Sequence, residues 1–170
     1  MLANGISGGR RAATGVVAAL VLVLSGTPAR GQVLGPDAVA CGPGTTATAI
    51  LVQIGDYRNR RGTLRVRLFG GDPATYFDRD RALVRIQVPV PAADSAAICV
   101  RVPGPGVYAV DVRHDVNGND VTDRGDGGGI SGNPRLTMWD LLFRRRPSPA
   151  VTQITVGNGV TTVSIRIRYL

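Results

Sequence analysis

The chain has 170 residues, of which 44% are hydrophobic and only 5% aromatic, so we expect one domain with a core of Val, Leu, Ile and Ala. The formal net charge is +8, every basic residue is Arg, and every acidic residue is Asp. Reaction mechanisms that require a Lys amine or a Glu carboxylate are therefore excluded. Twenty-three glycines and eleven prolines predict many turns.

Residues 1–31 have the pattern of a signal peptide for export. Arg10 and Arg11 precede an apolar run at residues 16–24, and small residues follow at Ala29 and Gly31. No other apolar run approaches the ~20 residues of a spanning helix, so we expect no transmembrane anchor after removal of this segment. Its removal takes away three arginines and no acid, which lowers the net charge from +8 to +5. We predict a periplasmic or secreted protein with a lead-in at residues 32–45 and a single domain at residues 46–170.

The two cysteines, Cys41 and Cys99, fit an oxidising compartment. They lie too far apart in sequence for a redox or zinc motif, and one disulfide is the simplest interpretation. Two separately buried thiols are the alternative. In the chain-entropy model, closing such a loop stabilises the fold by roughly 4 kcal/mol.

The dominant hydrophobic period in the rest of the chain is two, which is typical of β-strands. Seven segments follow it: residues 48–54, 62–69, 82–88, 96–102, 107–113, 150–156 and 160–168. Seven strands separated by turn signals predict an all-β sandwich. In the second segment, Leu64, Val66 and Leu68 share the face predicted to be buried, while Arg65 and Arg67 share the face predicted to meet solvent. The only helix candidate, residues 136–143, is short and apolar, and we expect it to pack over one end of the sandwich.

A strand-exit loop that begins at Asp115 carries the most informative pattern. Asp and Asn occur at alternate positions after the fifth strand, and a tightly curled loop can turn such oxygens toward one hard cation such as Ca²⁺. The predicted ligands are Asp115, Asn117, Asn119, the Val121 carbonyl, Asp123 and Asp126. Two features depart from the calcium template: Asp120 stands where the turn prefers Gly, and Asp126 is one methylene shorter than the usual Glu. The alternative is a loop without metal in which Asn and Asp bond the local backbone.

Tyr108 and His114 lie on the strand that leads into this loop. Tyr108 follows a Pro-Gly-Pro-Gly turn at residues 103–106, and we expect its hydroxyl to bond back to the backbone of that turn. His114 is the only histidine, so no multi-His zinc or iron site can form. We interpret His114 as a packed residue or as one bonded to a turn, and not as a catalyst.

Residues 105–123 also carry a resemblance. The run PGVYAVDVRHDVNGNDVTD resembles the signature of a bacterial family, domain of unknown function 2141, which has Pro-Gly-x-Tyr-Ala, apolar alternation, His-Asp-x-Asn-x-Asn and a later Asp. GTLRVRLF upstream and residues 129–134 downstream are similar to further family segments, although Ile130 and Gly132 depart from them. The resemblance covers most of residues 46–168. It implies an exported, antiparallel immunoglobulin-like or transthyretin-like sandwich, and it implies no activity.

These features favour a non-enzymatic structural or binding module of the cell envelope, with a calcium-stabilised loop. A hydrolase that uses the Asp-rich loop is one alternative. A binder of anionic glycan is another, since arginines cluster at residues 58–61 and at Arg144, Arg145 and Arg146, and guanidinium groups bind phosphate and carboxylate. Nucleic acid is not expected as a partner, because aromatic residues do not alternate with the arginines.

Overall fold

The computed structural model describes Met1, residues 32–135 and residues 147–169. These residues form ten β-strands, one helical turn α1 (Pro149–Thr152) and three short 3-10 turns. The strands are β1 (Val33–Leu34), β2 (Ala49–Gly55), β3 (Thr63–Phe69), β4 (Val84–Pro89), β5 (Ala96–Arg101), β6 (Gly106–Asp115), β7 (Gly127–Ile130), β8 (Ile154–Val156), β9 (Val160–Arg166) and β10 (Arg168–Tyr169). The 3-10 turns are Ala38–Cys41, Pro73–Thr75 and Arg79–Arg81. An all-β fold is confirmed for the described residues.

The strands form two sheets. The first has the order β1-β5-β2-β9, and the second has the order β10-β7-β6-β3-β4, with β8 also pairing with β6. Most pairs are antiparallel, as predicted, but β1 runs parallel to β5 and β2 runs parallel to β9. The parallel β2–β9 pair joins strands from opposite ends of the chain, which alternation alone could not predict because it does not determine pairing.

One apolar core lies between the two sheets. Alternate residues of β2 and β5 in the first sheet and of β3 and β6 in the second pack into the same cluster, as period-two alternation requires. Leu64, Val66 and Leu68 are buried in this core, as predicted. The prediction that Arg65 faces solvent was wrong, because its exposed fraction is only 6%. Arg67 is half-buried rather than exposed.

All seven predicted strand segments contain a strand, with different limits at some ends. The largest difference lies at residues 149–152, where a helical turn precedes the three-residue strand β8. Pro149 stands at the start of this turn, a position that suits its fixed φ and its missing N–H. The helix predicted at residues 136–143 lies outside the described residues, as do Arg144, Arg145, Arg146 and residues 2–31. No helix among the described residues is long and apolar enough to cross a membrane.

Local contacts confirm three predictions made from single residues. Cys41 and Cys99 form a disulfide, which joins the first 3-10 turn to β5. The Tyr108 hydroxyl donates to the Gly104 carbonyl over 2.7 Å. His114 is fully buried, and its ring contacts the Tyr169 hydroxyl on one side and the Arg61 carbonyl on the other. The Tyr108 and His114 contacts hold the start and the end of β6, which is the strand that leads into the loop after Asp115.

Candidate functional site: the Asp loop and an arginine cleft

Residues 115–126, which we call the Asp loop, fold around the Asp115 carboxylate. This side chain is 1% exposed. One carboxylate oxygen accepts from the amides of Gly118 and Asn119, and the other accepts from the Asp120 amide over 2.8 Å. Burial alone raises the pKa of Asp115, but these amides and the Arg113 guanidinium outweigh it and lower the pKa below its ordinary value. Asp115 therefore stays charged as the centre of the loop.

Asp126 closes the other end of the Asp loop. Its carboxylate accepts from the Val116 amide over 3.1 Å and from the Asp123 amide over 3.3 Å. The two buried aspartates thus satisfy amides of the loop itself, through bonds between a side chain and the local backbone. Gly62 packs against the start of the loop, because a Cβ at this position would lie 1.8 Å from the Asp115 carbonyl oxygen.

The remaining predicted calcium ligands lie on the surface of the Asp loop. The Asn117 and Asn119 amides donate to one oxygen of Asp123, over 2.8 and 3.4 Å. The Asn119 side chain also accepts from the Val121 amide, and the Val121 side chain is exposed. The structure therefore brings Asn117, Asn119 and Asp123 together, while the carboxylates of Asp115 and Asp126 accept from backbone amides of the loop. Within the described ranges, no three His, Cys, Asp or Glu side chains form a group that could hold a metal ion.

A row of arginines crosses the outer face of the second sheet beside the Asp loop. The strand register pairs Arg65 on β3 with Arg113 on β6, Arg113 with Gly128 on β7, and Gly128 with Arg168 on β10. Because directly paired residues point to the same face of a sheet, the three arginines lie in one line that is interrupted at Gly128. We call Arg65, Arg113 and Arg168 the arginine row.

The members of the arginine row differ in their partners. Arg113 is held by the Asp loop, since it donates to Asp115 over 2.6 Å and to the Thr122 hydroxyl over 2.8 Å. Arg67, which lies beside the row on β3, pairs with Asp111. Arg65 is buried, with an exposed fraction of only 6%. Even so, its guanidinium group makes no ion pair and no hydrogen bond among the described residues. The Nε atoms of Arg65 and Arg113 are both buried and have no hydrogen-bond partner.

Positive charge is therefore concentrated on this face. Burial, followed by the charges of Arg113, Arg67 and Arg85, lowers the pKa of Arg65 to about 10, and the charge of Asp111 opposes this shift. Arg65 remains a cation at neutral pH. Like charges placed directly opposite each other on neighbouring strands destabilise a sheet, so the Arg65–Arg113 pair has an electrostatic cost. The charge of Asp111 offsets part of it without a hydrogen bond to Arg65.

The arginine row forms the floor of a cleft between the second sheet and the Asp loop. The cleft has a volume of about 790 Å³, and five arginines and three aspartates line it. The arginines are Arg65, Arg67, Arg113, Arg124 and Arg168, and the aspartates are Asp111, Asp123 and Asp126. We call this space the arginine cleft. Its volume is within the range of small-molecule sites, and its charged lining has a positive excess.

A family model matches most of the described domain. The model of the family described as "Uncharacterized protein conserved in bacteria (DUF2141)" matches residues 52–164, which include β3, β6, the Asp loop and β7. The chain belongs to this family. No curated protein and no solved structure matches the chain. Membership in DUF2141 thus agrees with the resemblance found in the sequence and assigns no reaction.

Sequence reasoning found the Asp loop of this DUF2141 protein but missed the arginine cleft. The only signal for it was the alternation of Arg65 and Arg67 on β3 and the presence of Arg113 and Arg168 at equivalent strand positions. This pattern is the same as that of a solvated face, and the burial of Arg65 depends on which strands become neighbours. By contrast, two arginines of the cluster at residues 58–61 that the sequence suggested already have partners. Arg58 lies over the Tyr169 ring at 4.2 Å, and Arg60 pairs with Asp94.

Proposed function

We propose that this protein is an exported, non-enzymatic binding module, built as an immunoglobulin-like or transthyretin-like sandwich, that takes up an anionic ligand of the cell envelope in the arginine cleft. One observation carries the proposal: Arg65 is buried and cationic, and its guanidinium group has no partner among the described residues. A buried cation without a counter-charge is costly to a fold. A ligand with a negative charge would offset that cost.

The arrangement of the Asp loop supports binding rather than hydrolysis. A hydrolase needs a carboxylate that is free to accept or donate a proton at the substrate. The oxygens of Asp115 and Asp126 instead accept hydrogen bonds from backbone amides, and Asp115 also accepts one from the Arg113 guanidinium group. In this proposal the Asp loop holds Arg113 in place at the edge of the arginine cleft.

Retention on a sulfated polysaccharide resin tests this function. We expect the protein to elute at a clearly lower salt concentration when Arg124 and Arg168 are both replaced by Gln. With fewer cations on the protein, binding to the resin releases fewer counterions and is weaker. Two variants with the same charge change serve as controls: Arg79→Gln with Arg81→Gln, in the exposed turn before β4, and Arg144→Gln with Arg146→Gln, in the cluster chosen from the sequence. Equal losses of retention for all three pairs would contradict binding in the cleft.

Calcium binding by the Asp loop is a second proposal, and a specific observation favours it. Asn117, Asn119 and Asp123 already converge on one surface point. Rotation of the two Asn amides would present oxygen instead of nitrogen there, in exchange for the hydrogen bonds that their oxygens now accept from the Asn119 and Val121 amides. The cation would then bind at the surface half of the loop, and Asp115 and Asp126 would keep the backbone in shape. Three oxygen side chains with solvent ligands suit the weak affinities of extracellular calcium modules.

A further inference from the structure

We propose that the arginine cleft contains a defined seat for one tetrahedral oxyanion, a phosphate or sulfate group, above Gly128 and between the guanidinium groups of Arg65 and Arg113 on one side and Arg168 on the other. This inference rests on the proposed function and names the chemistry of its ligand. The geometry of the sheet, the unused donors and the open space at Gly128 each support it.

Gly128 leaves a gap in the arginine row where a side chain would otherwise stand. A Cβ built at Gly128 meets nothing closer than the Val112 carbonyl oxygen at 3.9 Å, and the residue is exposed. Its neighbours in β7 differ: a Cβ at Gly127 would lie 2.5 Å from Ile167, and one at Gly129 would lie 2.6 Å from the Arg166 carbonyl oxygen. Close packing thus explains Gly127 and Gly129, but the space above Gly128 is open toward the cleft.

The distance across the gap suits a ligand group that contacts the arginines on both sides of Gly128. Arg113 and Arg168 both pair with Gly128, from opposite sides, so their backbones lie two strand spacings apart, or roughly 10 Å. Long guanidinium side chains that start at this separation can both reach a ligand above the middle strand. A single carboxylate pairs with one guanidinium group through two parallel hydrogen bonds. A tetrahedral oxyanion has acceptors in more directions and can accept from both walls.

Unused donors point to the same chemistry. The Nε–H groups of Arg65 and Arg113 are buried without acceptors, and they belong to arginines that lie directly opposite each other on neighbouring strands. Phosphate or sulfate oxygens would accept from the terminal nitrogens of Arg65, which have no partner among the described residues, and their charge would reduce the repulsion between the two cations. Asp111 fills this role only in part, because its charge acts on both cations but its hydrogen bonds go to Arg67.

The seat is smaller than the cleft, so the oxyanion is expected to be one group of a larger molecule. A second cavity of about 450 Å³ continues from Gly128 and Arg168 toward Ile130 and Asn133. A neutral or hydroxylated remainder of the ligand fits this extension. Free phosphate and the phosphate group of a larger molecule have the same chemistry. They differ in whether contacts in the second cavity add affinity.

Calorimetric titration of the purified full-length protein tests the seat, with inorganic phosphate, sulfate, acetate and a monosaccharide phosphate as probes. We expect phosphate and sulfate to bind and acetate to bind at least tenfold more weakly. Gly128→Val, which fills the gap, and Arg65→Gln, which removes the unpaired cation, should each weaken phosphate binding by about tenfold or more. Arg101→Gln, an exposed arginine on the other sheet, should change it less than twofold. Stronger binding of the sugar phosphate than of free phosphate identifies the head group of a larger ligand, and equal binding identifies the free ion.

The seat and the proposed function fail in different ways. If Gly128→Val and Arg65→Gln are folded by circular dichroism and bind phosphate like the wild type, the seat is wrong. If both variants also keep salt-sensitive retention that is lost in the Arg124 and Arg168 variant, anionic binding in the cleft stands without the seat. If the wild type shows neither phosphate binding nor cleft-dependent retention, both proposals are overturned.

Discussion

The Asp loop and the arginine row are two charged regions of similar size that lie side by side, and they differ in how their charges are satisfied. In the Asp loop, the two buried carboxylates, Asp115 and Asp126, accept backbone amides, and Asp115 also has a cationic partner. In the arginine row, Arg65 lacks a partner among the described residues, and two buried Nε–H groups lack acceptors. A charged group whose bonds are complete stabilises its own fold, whereas one with unused donors is open to a ligand. We therefore expect the Asp loop to stabilise the fold, and we propose the arginine row as the region that binds a ligand.

Arg113 joins the two regions. Its terminal nitrogens belong to the Asp loop through Asp115 and Thr122, while its Nε faces no acceptor and its strand position belongs to the row. The motif that resembles the DUF2141 signature therefore has a physical role that does not require metal. It fixes a guanidinium group at the edge of the cleft.

The largest expected effect is the loss of the centre of the Asp loop. Asp115→Ala should lower the free energy of unfolding by about 3–5 kcal/mol, because Arg113 would remain buried without its carboxylate. The Gly118, Asn119 and Asp120 amides would also lose their acceptor. Urea unfolding measures this change. Asp94→Ala is the matched control, since the Asp94 side chain is 95% exposed, and we expect a change within about 0.5 kcal/mol. Similar losses in both variants would show that Asp115 is not the centre of the loop.

The second prediction contrasts two arginines that face each other. Arg113→Met should destabilise the protein by about 3 kcal/mol, since it leaves the buried Asp115 unpaired. Arg65→Met should instead stabilise the ligand-free protein by about 1 kcal/mol, because it removes an unsatisfied buried donor and a repulsive cross-strand pair. Urea unfolding of the two variants gives the two signs directly. A destabilised Arg65→Met protein would mean that the Arg65 guanidinium group already has its partners in the fold. The proposed anionic ligand would then not be needed to satisfy it.

Much of the fold was predictable because it depends on local alternation. Leu64, Val66 and Leu68 follow the inward face of β3, and Tyr108 follows a turn with a known hydroxyl contact. By contrast, β7 was missed because Gly127, Gly128 and Gly129 have no side chains that could alternate. Gly127 and Gly129 are explained only by the neighbouring strand β10 and by the chain just before it, which is a long-range property.

The candidate site was predictable only in part, for a similar reason. The spacing of Asp115, Asn117 and Asp123 identified a folded loop, but it could not decide whether their oxygens face a cation or backbone amides. The arginine cleft depends on the register of β3, β6, β7 and β10, which brings Arg65 and Arg168 into one row. Residues more than 100 positions apart in the chain join one row through pairing that no local pattern specifies.

Acid should weaken the Asp loop in a defined pH range. The pKa of Asp115 is lowered in the folded protein, with burial opposing and hydrogen bonds from Asp120 and Arg113 favouring the charged form. The unfolded chain then takes up a proton near the ordinary value of 3.8, before the folded protein does. The contribution of Asp115 is therefore fully present above that value and is lost as the pH falls through the lower folded value. We expect the stability difference between wild type and Asp115→Asn to narrow below about pH 4 in urea titrations. A difference that stays constant or grows in acid would contradict the lowered pKa.

The smallest expected effect concerns calcium, and it tests whether the surface half of the Asp loop is as complete as its buried half. Ca²⁺ at ten times its dissociation constant should stabilise the protein by about 1.4 kcal/mol, which raises the melting temperature by roughly 3 °C. Asp123→Asn should lose this shift, because it removes the charge on which Asn117 and Asn119 converge. Asp120→Asn is the matched control, since it removes the same charge from the same loop at a residue that is not a predicted ligand. A melting temperature of the wild type that millimolar Ca²⁺ leaves unchanged would remove the calcium proposal. The Asp loop would then act only as the support of Arg113. A shift that survives in Asp123→Asn would place the cation elsewhere and leave the division between the two charged regions intact.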